Sequence, residues 1–296
     1  MEGKKEDVDY TQIITGKAGD NYAVEDEKGI DYDKLTGQFG CQPLGADLVE
    51  RIARATGQAP HRFLRRGIFF CHRDLELILA GYEAAKPFYL YTGRGPSNEA
   101  MHLGHAVPMI FTAWLQKAFG VPLVIQITDD EKFLFRPQDS LEKIQQYAIS
   151  NIKDIIAFGF DPAKTFIFVD TQYIGSLYEH VIKIQKCVTF NQLKGIFGFS
   201  DSSNSGMIAY PAIQAAPAFS GCFKKIFGEH DRQLPCLIPA AVDQDPFFRM
   251  TRDVCQKLHW SKPASIYSVF FPALRGLEEK MGGTAETTIM LTDTPQ

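Results

Sequence analysis

The chain has 296 residues, of which 45% are hydrophobic types and 22% charged. With 31 Lys and Arg against 35 Asp and Glu, its formal charge is −4. These values exclude a mainly disordered or fibrous chain and leave room for one large domain or two smaller ones. No global field favours nucleic acid, so any RNA contact must come from local patches.

The opening segment MEGKKEDVDY is charged and has no apolar run, so it is not a secretory signal. The apolar stretch at 122–127 is too short to span a bilayer, and no membrane association is expected. Cysteines stand at 41, 71, 187, 222, 236 and 255, with no C-x-x-C pair and no zinc-site spacing. A chain this long needs no disulfide staples. The simplest reading is a reducing cytoplasm and no protein-held metal.

Residues 1 to about 35 are polar, with Gly16, Gly19 and Gly29 between short β-prone pieces at 12–15 and 22–24. This pattern predicts a hairpin or extension. Helical spacing of apolar residues covers 47–55 and 73–84. A buried strand is expected at 88–91, then a Gly-rich turn at 93–96 and a helix over about 101–119. A second strand follows at 123–128. Ser140 and Glu142 sit in a capping-box-like segment that opens a long helix to about 158. Further strands are expected at 166–169, 236–240 and 266–271, with helices at 178–190 and 246–258. Strands apolar on both faces and alternating with helices predict an α/β fold built on a parallel sheet.

Ligands of such sheets sit at the carboxyl ends of the strands, near the switch point. That singles out residues 91–105, 126–132, 243–249 and the segment after the fifth strand. Gly93-Arg94-Gly95-Pro96 lacks the third glycine of a dinucleotide fingerprint, and no P-loop occurs anywhere. His102-Leu103-Gly104-His105 is more telling. Two imidazoles three apart at a helix start can face a phosphate chain, and Gly104 leaves room for a flat base against the backbone. The plain alternative is two surface histidines flanking a glycine.

Thr128-Asp129-Asp130-Glu131-Lys132 follows the second strand. There a carboxylate can capture an ammonium group, and Lys132 can neutralise a phosphate or carboxylate. The plain alternative is a solvated charge run. Asp243 and Gln244 follow the fourth strand, where Asp243 could also simply cap the next helix. Lys280 stands in a mobile-looking loop, Glu278-Glu279-Lys280-Met281-Gly282-Gly283-Thr284. The ensemble suits nucleotidyl transfer, in which positioned donors stabilise charge on an α-phosphate and a departing pyrophosphate.

In this order, these motifs resemble the class I aminoacyl-tRNA synthetases, with His102-Leu103-Gly104-His105 as the HIGH motif and Lys280-Met281-Gly282-Gly283-Thr284 as the KMSKS counterpart. The segments 91–97, 126–132 and 241–246 are similar to those of tryptophanyl-tRNA synthetases of eukaryotic and archaeal type, as are 63–70, 189–192 and 213–217. The resemblance runs from about 29 to 294. It implies a Rossmann-like catalytic domain over 86–296, preceded by an N-terminal extension over 1–85 whose hairpin folds on the active site.

It also implies a homodimeric enzyme that makes tryptophanyl-adenylate from L-tryptophan and ATP with Mg2+ and then esterifies tRNA(Trp). Tyr91 and Gln126 would bond the indole N–H. Glu131, Gln214 and Gln244 would meet the ammonium group, and Gly93 and Thr128 would border the amino acid. Arg94, Gly95, His102, Gly104, His105, Asp243, Lys280 and Met281 would border ATP. His102, His105, Lys132 and Lys280 would act on the phosphates.

Two features depart from the family pattern. Gly282 and Gly283 replace a serine and a small residue, and the sequence stops at Gln296 where family members continue into a helical anticodon-binding domain. Two rival readings stay open at this point: a small-molecule nucleotidyltransferase with the same H-x-G-H turn, and a noncatalytic synthetase-like binding protein.

Overall fold

The computed structural model describes residues 25–26, 29–30, 40–228, 233–274, 276–281 and 288–294. The expected pieces at 12–15 and 22–24, and Gly282 and Gly283, lie outside the described residues. Strands β1 (Glu25–Asp26) and β2 (Gly29–Ile30) form a short antiparallel pair. Next come β3 (Gln42–Pro43), α1 (Ala46–Thr56), α2 (Arg62–Arg65), β4 (Phe69–Arg73) and α3 (Leu75–Glu83). The central run is β5 (Tyr89–Arg94), α4 (Leu103–Phe119), β6 (Leu123–Ile127), α5 (Asp129–Phe135), α6 (Leu141–Ala157), β7 (Thr165–Val169) and α7 (Asp170–Gln185). Then follow α8 (Phe190–Phe197), α9 (Ser205–Ala215), α10 (Lys224–Phe227), β8 (Cys236–Ala241), α11 (Asp245–Leu258), β9 (Ala264–Ser268) and the hairpin β10 (Pro272–Ala273) with β11 (Gly276–Lys280).

Seven strands form one sheet in the order β3-β4-β9-β8-β5-β6-β7. The five from β9 to β7 are parallel, as their sequences require. β4 pairs antiparallel with β9, and the edge strand β3 antiparallel with β4, so the sheet is mixed rather than parallel throughout. Alternation along each strand divides the core. Tyr89, Tyr91, Ile238 and Tyr267 pack with α7, α9 and α11. Leu90, Leu237 and Ile266 pack with α1, α3 and α4 on the opposite face. Because successive crossovers leave β5 and β8 toward opposite faces, a crevice opens between their carboxyl ends.

Several boundaries differ from the sequence reading for local reasons. The helix expected over 73–84 is α3, but it starts at Leu75: Arg73 ends β4, and Asp74 adopts a left-handed φ of 55° between them. Asp tolerates that conformation better than a bulkier residue would, so it can mark a sharp strand-to-helix change. The expected helix 178–190 is instead the second half of α7, and Phe190 opens a separate helix capped by Thr189. Ser140 caps α6 by accepting from the Lys143 amide, while Asp139 pairs with the Lys143 ammonium.

Arg73 at the end of β4 donates to Asp245 at the start of α11, with Nε–Oδ1 2.8 Å and Nη2–Oδ2 3.1 Å. Arg249 pairs with the same carboxylate at 2.7 Å. Asp245 is fully buried, so this charged cluster pins the turn that precedes α11. Among the described residues, no helix is long and apolar enough to cross a membrane.

Candidate active site

The cavity at the switch point is floored by Tyr91 and Gln126. Parallel register places Gly93 beside Gln126, so the two side chains come from adjacent strands with their ends on one level. Tyr91 is buried, and burial pushes its phenol well above its ordinary range, keeping it a neutral hydroxyl. That hydroxyl lies 2.5 Å from Gln126 Oε1 and 2.8 Å from the Gln214 carbonyl. Gln126 Nε2 donates in turn to Asp170. Gly93 leaves little room for a side chain, since a Cβ would stand 3.3 Å from the Gln126 carbonyl oxygen.

One wall is built by α5, α9 and the turn after β8. Residues 128–132 are not a loop: Thr128 precedes α5, and the helix separates its three carboxylates. Asp129 is buried and accepts from the Thr171 amide and hydroxyl, which makes it structural. Asp130 is turned toward Asp170, and its carboxyl is pushed up to about 6 chiefly by burial. Only Glu131 of the three reaches the cavity. It accepts from the Thr128 hydroxyl and the Lys132 ammonium, each at 2.8 Å. The ammonium-capturing and phosphate-neutralising groups of the sequence reading are thus paired with each other.

Gln214 Nε2 donates to Gln244 Oε1 at 2.7 Å, while Tyr210 donates to Gln214 Oε1 at 3.1 Å. Both glutamines line the cavity with Asp243. Asp243 does not cap α11; it lies within a 3-10 turn, Val242–Gln244, and the helix starts at Asp245.

The opposite wall is the start of α4. His102 is the N-cap and His105 the third helical residue, with rings stacked at 3.5 Å. Arg94 at the end of β5 approaches His105 Nε2 at 2.8 Å and donates to Asn151 Oδ1 at 2.9 Å. Its third nitrogen, Nη2, is buried without a hydrogen-bond partner among the described residues, and burial pushes the guanidinium down to about 9. Such a donor suits an anionic ligand. A Cβ on Gly104 would stand 3.0 Å from the His102 ring and 3.7 Å from Met281 Cβ, so the space above this glycine is taken by protein groups. A Cβ on Gly95 would stand 2.1 Å from Lys132 Cε, so the glycine admits the lysine.

Lys280 is the last residue of strand β11 rather than part of an irregular loop, and Met281 beside it is buried in the cavity lining. Downstream, Leu103 donates to the Ile289 carbonyl at 3.0 Å, and His102 bridges to Met290. Both flanks of residues 282–287 therefore abut the histidine turn.

The description "tRNA synthetases class I (W and Y)" matches residues 83–296. The chain belongs to this family of class I synthetases. It is 60% identical over 271 residues to the cytoplasmic tryptophan–tRNA ligase of Rattus norvegicus, covering 90% of this chain and 56% of that protein. The corresponding ligase of Schizosaccharomyces pombe is 54% identical, with 91% and 69% covered. Solved tryptophanyl-tRNA synthetases of Plasmodium falciparum (TM-score 0.84, 48% identity, 90% and 70% covered) and Trypanosoma brucei (0.81, 52%, 89% and 76%) share the fold. The chain spans little more than half the length of the mammalian relatives it matches.

In this class I synthetase, the cavity gathers Tyr91, Gly93, Arg94, Gly95, His102, Gly104, His105, Gln126, Thr128, Glu131, Lys132, Gln214, Asp243, Gln244 and Met281. The sequence reading passed over Asn151, which orients Arg94, and Asp170, which orients Gln126. Asn151 left a signal: it is a polar residue on the buried stripe Ile144, Ala148, Ile155 of α6. Asp170 left little, being the first residue of a helix.

Proposed function

We propose that this synthetase activates L-tryptophan with ATP to tryptophanyl-adenylate and transfers it to tRNA(Trp) in the cytoplasm, as a homodimer. The carrying observation is the cavity floor, where the Tyr91 and Gln126 oxygens stand together on buried strand ends. The hydroxyl donates to the amide oxygen, and the lone pairs that remain on both favour an aromatic ring bearing an N–H over one that leaves them unmet in a desolvated slot. The names of the relatives, all tryptophan–tRNA ligases among those compared above, support the same substrate.

In this reading, Glu131, Gln214 and Gln244 hold the amino acid's ammonium group, with Glu131 exchanging its contact with Lys132 for one with substrate. Thr128 and Gly93 border the amino acid. The tryptophan carboxylate then lies next to the ATP α-phosphate. A carboxylate oxygen forms the new P–O bond as the bond to pyrophosphate breaks. Arg94, His102, His105 and Lys132 meet the charge that moves onto the phosphate oxygens, and Lys280 joins them from β11. Gly95, Gly104, Asp243 and Met281 shape the nucleotide side. Mg2+ would arrive with the triphosphate. Among the described residues, no group of three or more His, Cys, Asp or Glu could hold an ion.

The test is tryptophan-dependent ATP–pyrophosphate exchange, which needs no tRNA. Exchange with tryptophan but not with phenylalanine or tyrosine is expected. A chain that binds tryptophan without any exchange would favour a noncatalytic binding protein.

A further inference from the structure

We propose that Asp170 is a positioning residue for substrate selectivity, holding the Gln126 amide from beneath the cavity floor so that its oxygen faces the ring N–H. The proposal rests on the tryptophan-activating reading above. Asp170 follows β7 directly and is only 1% exposed. Both of its carboxylate oxygens lie 2.9 Å from Gln126 Nε2, and the Ile213 carbonyl lies 3.5 Å from the same nitrogen. Three acceptors around one end of an amide decide which end is the nitrogen. Turning the amide over would set Oε1 against a carboxylate and lose these bonds.

The opposite end then has a fixed polarity. Gln126 Oε1 is an acceptor, 2.5 Å from the Tyr91 oxygen. Tyr91 has one proton and a second acceptor for it, the Gln214 carbonyl at 2.8 Å. Tyr91 donates to Gln126 Oε1 across the short contact, which leaves each oxygen a lone pair to face the cavity. The floor therefore reads a donor. A glutamine alone carries no such instruction, since its amide presents either end with equal ease.

Asp170 has no capping duty that would explain a buried carboxyl at this point. The Thr171 amide and hydroxyl, its neighbours at the helix start, are bonded to Asp129. A carboxyl is costly to bury, and here it faces the carboxyl of Asp130 as well as Gln126.

The experiment compares the full chain with Asp170→Asn and Asp170→Ser in ATP–pyrophosphate exchange. The two substrates are tryptophan and 3-(benzothiophen-3-yl)alanine, whose sulfur replaces the N–H at nearly the same shape. An Asn amide can donate to Gln126 as well as accept, and so releases the fixed orientation. In either folded variant kcat/KM for tryptophan should fall roughly tenfold or more, that for the analogue by no more than about twofold, and KM for ATP should not change. The preference for tryptophan then shrinks by about the same tenfold.

Equal losses with both substrates, or an unchanged preference, would overturn the proposal. If neither variant gives a cooperative melt, Asp170 is a core buttress and the proposal falls. Absence of exchange in the parent chain with either substrate instead defeats the functional reading and takes this proposal with it.

Discussion

Arg94 Nη1 lies 2.8 Å from His105 Nε2. A guanidinium only donates, so Nε2 of His105 must be the acceptor and Nδ1 carries the ring proton. The His102 amide also points at His105 Nδ1, but at 3.4 Å. One imidazole cannot accept at both nitrogens while neutral, and the shorter, charge-assisted contact decides the tautomer. His102 stacks on this ring, with centroids 3.5 Å apart.

His102→Ala and His105→Ala are therefore expected to slow adenylate formation by roughly 10²–10³-fold, while tryptophan affinity stays nearly intact. These imidazoles meet charge that appears only as the pyrophosphate departs. Single-turnover kinetics beside equilibrium tryptophan binding separates the two quantities. Comparable losses in both would make the histidines scaffolding for the cavity.

Tyr91→Phe and Gln126→Ala should act in the other direction, weakening tryptophan more than ATP. Each removes one partner from a buried bond on the floor, a loss of about 1–3 kcal/mol. Calorimetric titration with tryptophan, and separately with ATP, checks this. An unchanged tryptophan Kd in both variants removes these residues from the ring site.

How much of this was legible in the sequence depends on the range of the signal. The parallel core followed from apolar runs such as Leu123–Ile127, buried on both faces and separated by helical spacing. The helix over 73–84 was legible from its spacing, but its start at Leu75, just after β4, was not, because the switch at Asp74 depends on one backbone angle. The H-x-G-H turn and Gln126 stood out by residue type and place. The division of labour among Asp129, Asp130 and Glu131 did not, because a helix sends neighbouring side chains in different directions. Asp170 and Asn151 act only through partners 44 and 57 residues away in sequence, and no local pattern records such a pairing.

Gly95→Ala tests how closely Lys132 must pass the end of β5. A methyl there would overlap Lys132 Cε at 2.1 Å and crowd Glu131 Oε2 at 2.9 Å. The lysine is a flexible chain and can swing aside, so the fold should survive with a small shift in Tm. The ammonium would leave its place beside Glu131. ATP–pyrophosphate exchange is expected to fall at least about tenfold, in keeping with loss of one positioned charge. A fully active variant would mean that Lys132 does not serve the phosphates.

Lys280→Ala should impair adenylate formation severely while sparing tryptophan binding. Met281, the residue after Lys280, lines the cavity beside Gly104, and an ammonium carried next to it would meet the phosphates as they gain charge. Gly282→Ser is expected to speed the same step. A serine restricts the backbone where glycine has the most freedom to lose, and it adds a hydroxyl that can bond a phosphate. Pre-steady-state adenylate formation unaffected by Lys280→Ala would favour a noncatalytic role.

Asp130→Asn should stabilise the protein near neutral pH. Burial, the largest cause, raises the Asp130 carboxyl from 3.8 to about 6, and the Asp129 and Glu131 charges push the same way. Hydrogen bonds from Asp170 and the Glu131 amide oppose this only in part. Between about pH 4 and pH 6 the folded chain thus holds a proton at this site that the unfolded chain has released. Stability contributed here must fall as pH rises through that window and stay low above it. An asparagine never bears the charge, and its Oδ1 can still accept from the Glu131 amide, now at 2.7 Å. The variant should gain on the order of 2 kcal/mol at pH 7–8, with the gain shrinking toward zero near pH 4. Paired carboxylates elsewhere, such as Glu83 with Arg51, shift in the opposite sense, so the quantity to follow is the difference in unfolding free energy between variant and parent at each pH. A difference that is flat from pH 4 to pH 8 would mean that Asp130 is ionised at no cost in the folded protein.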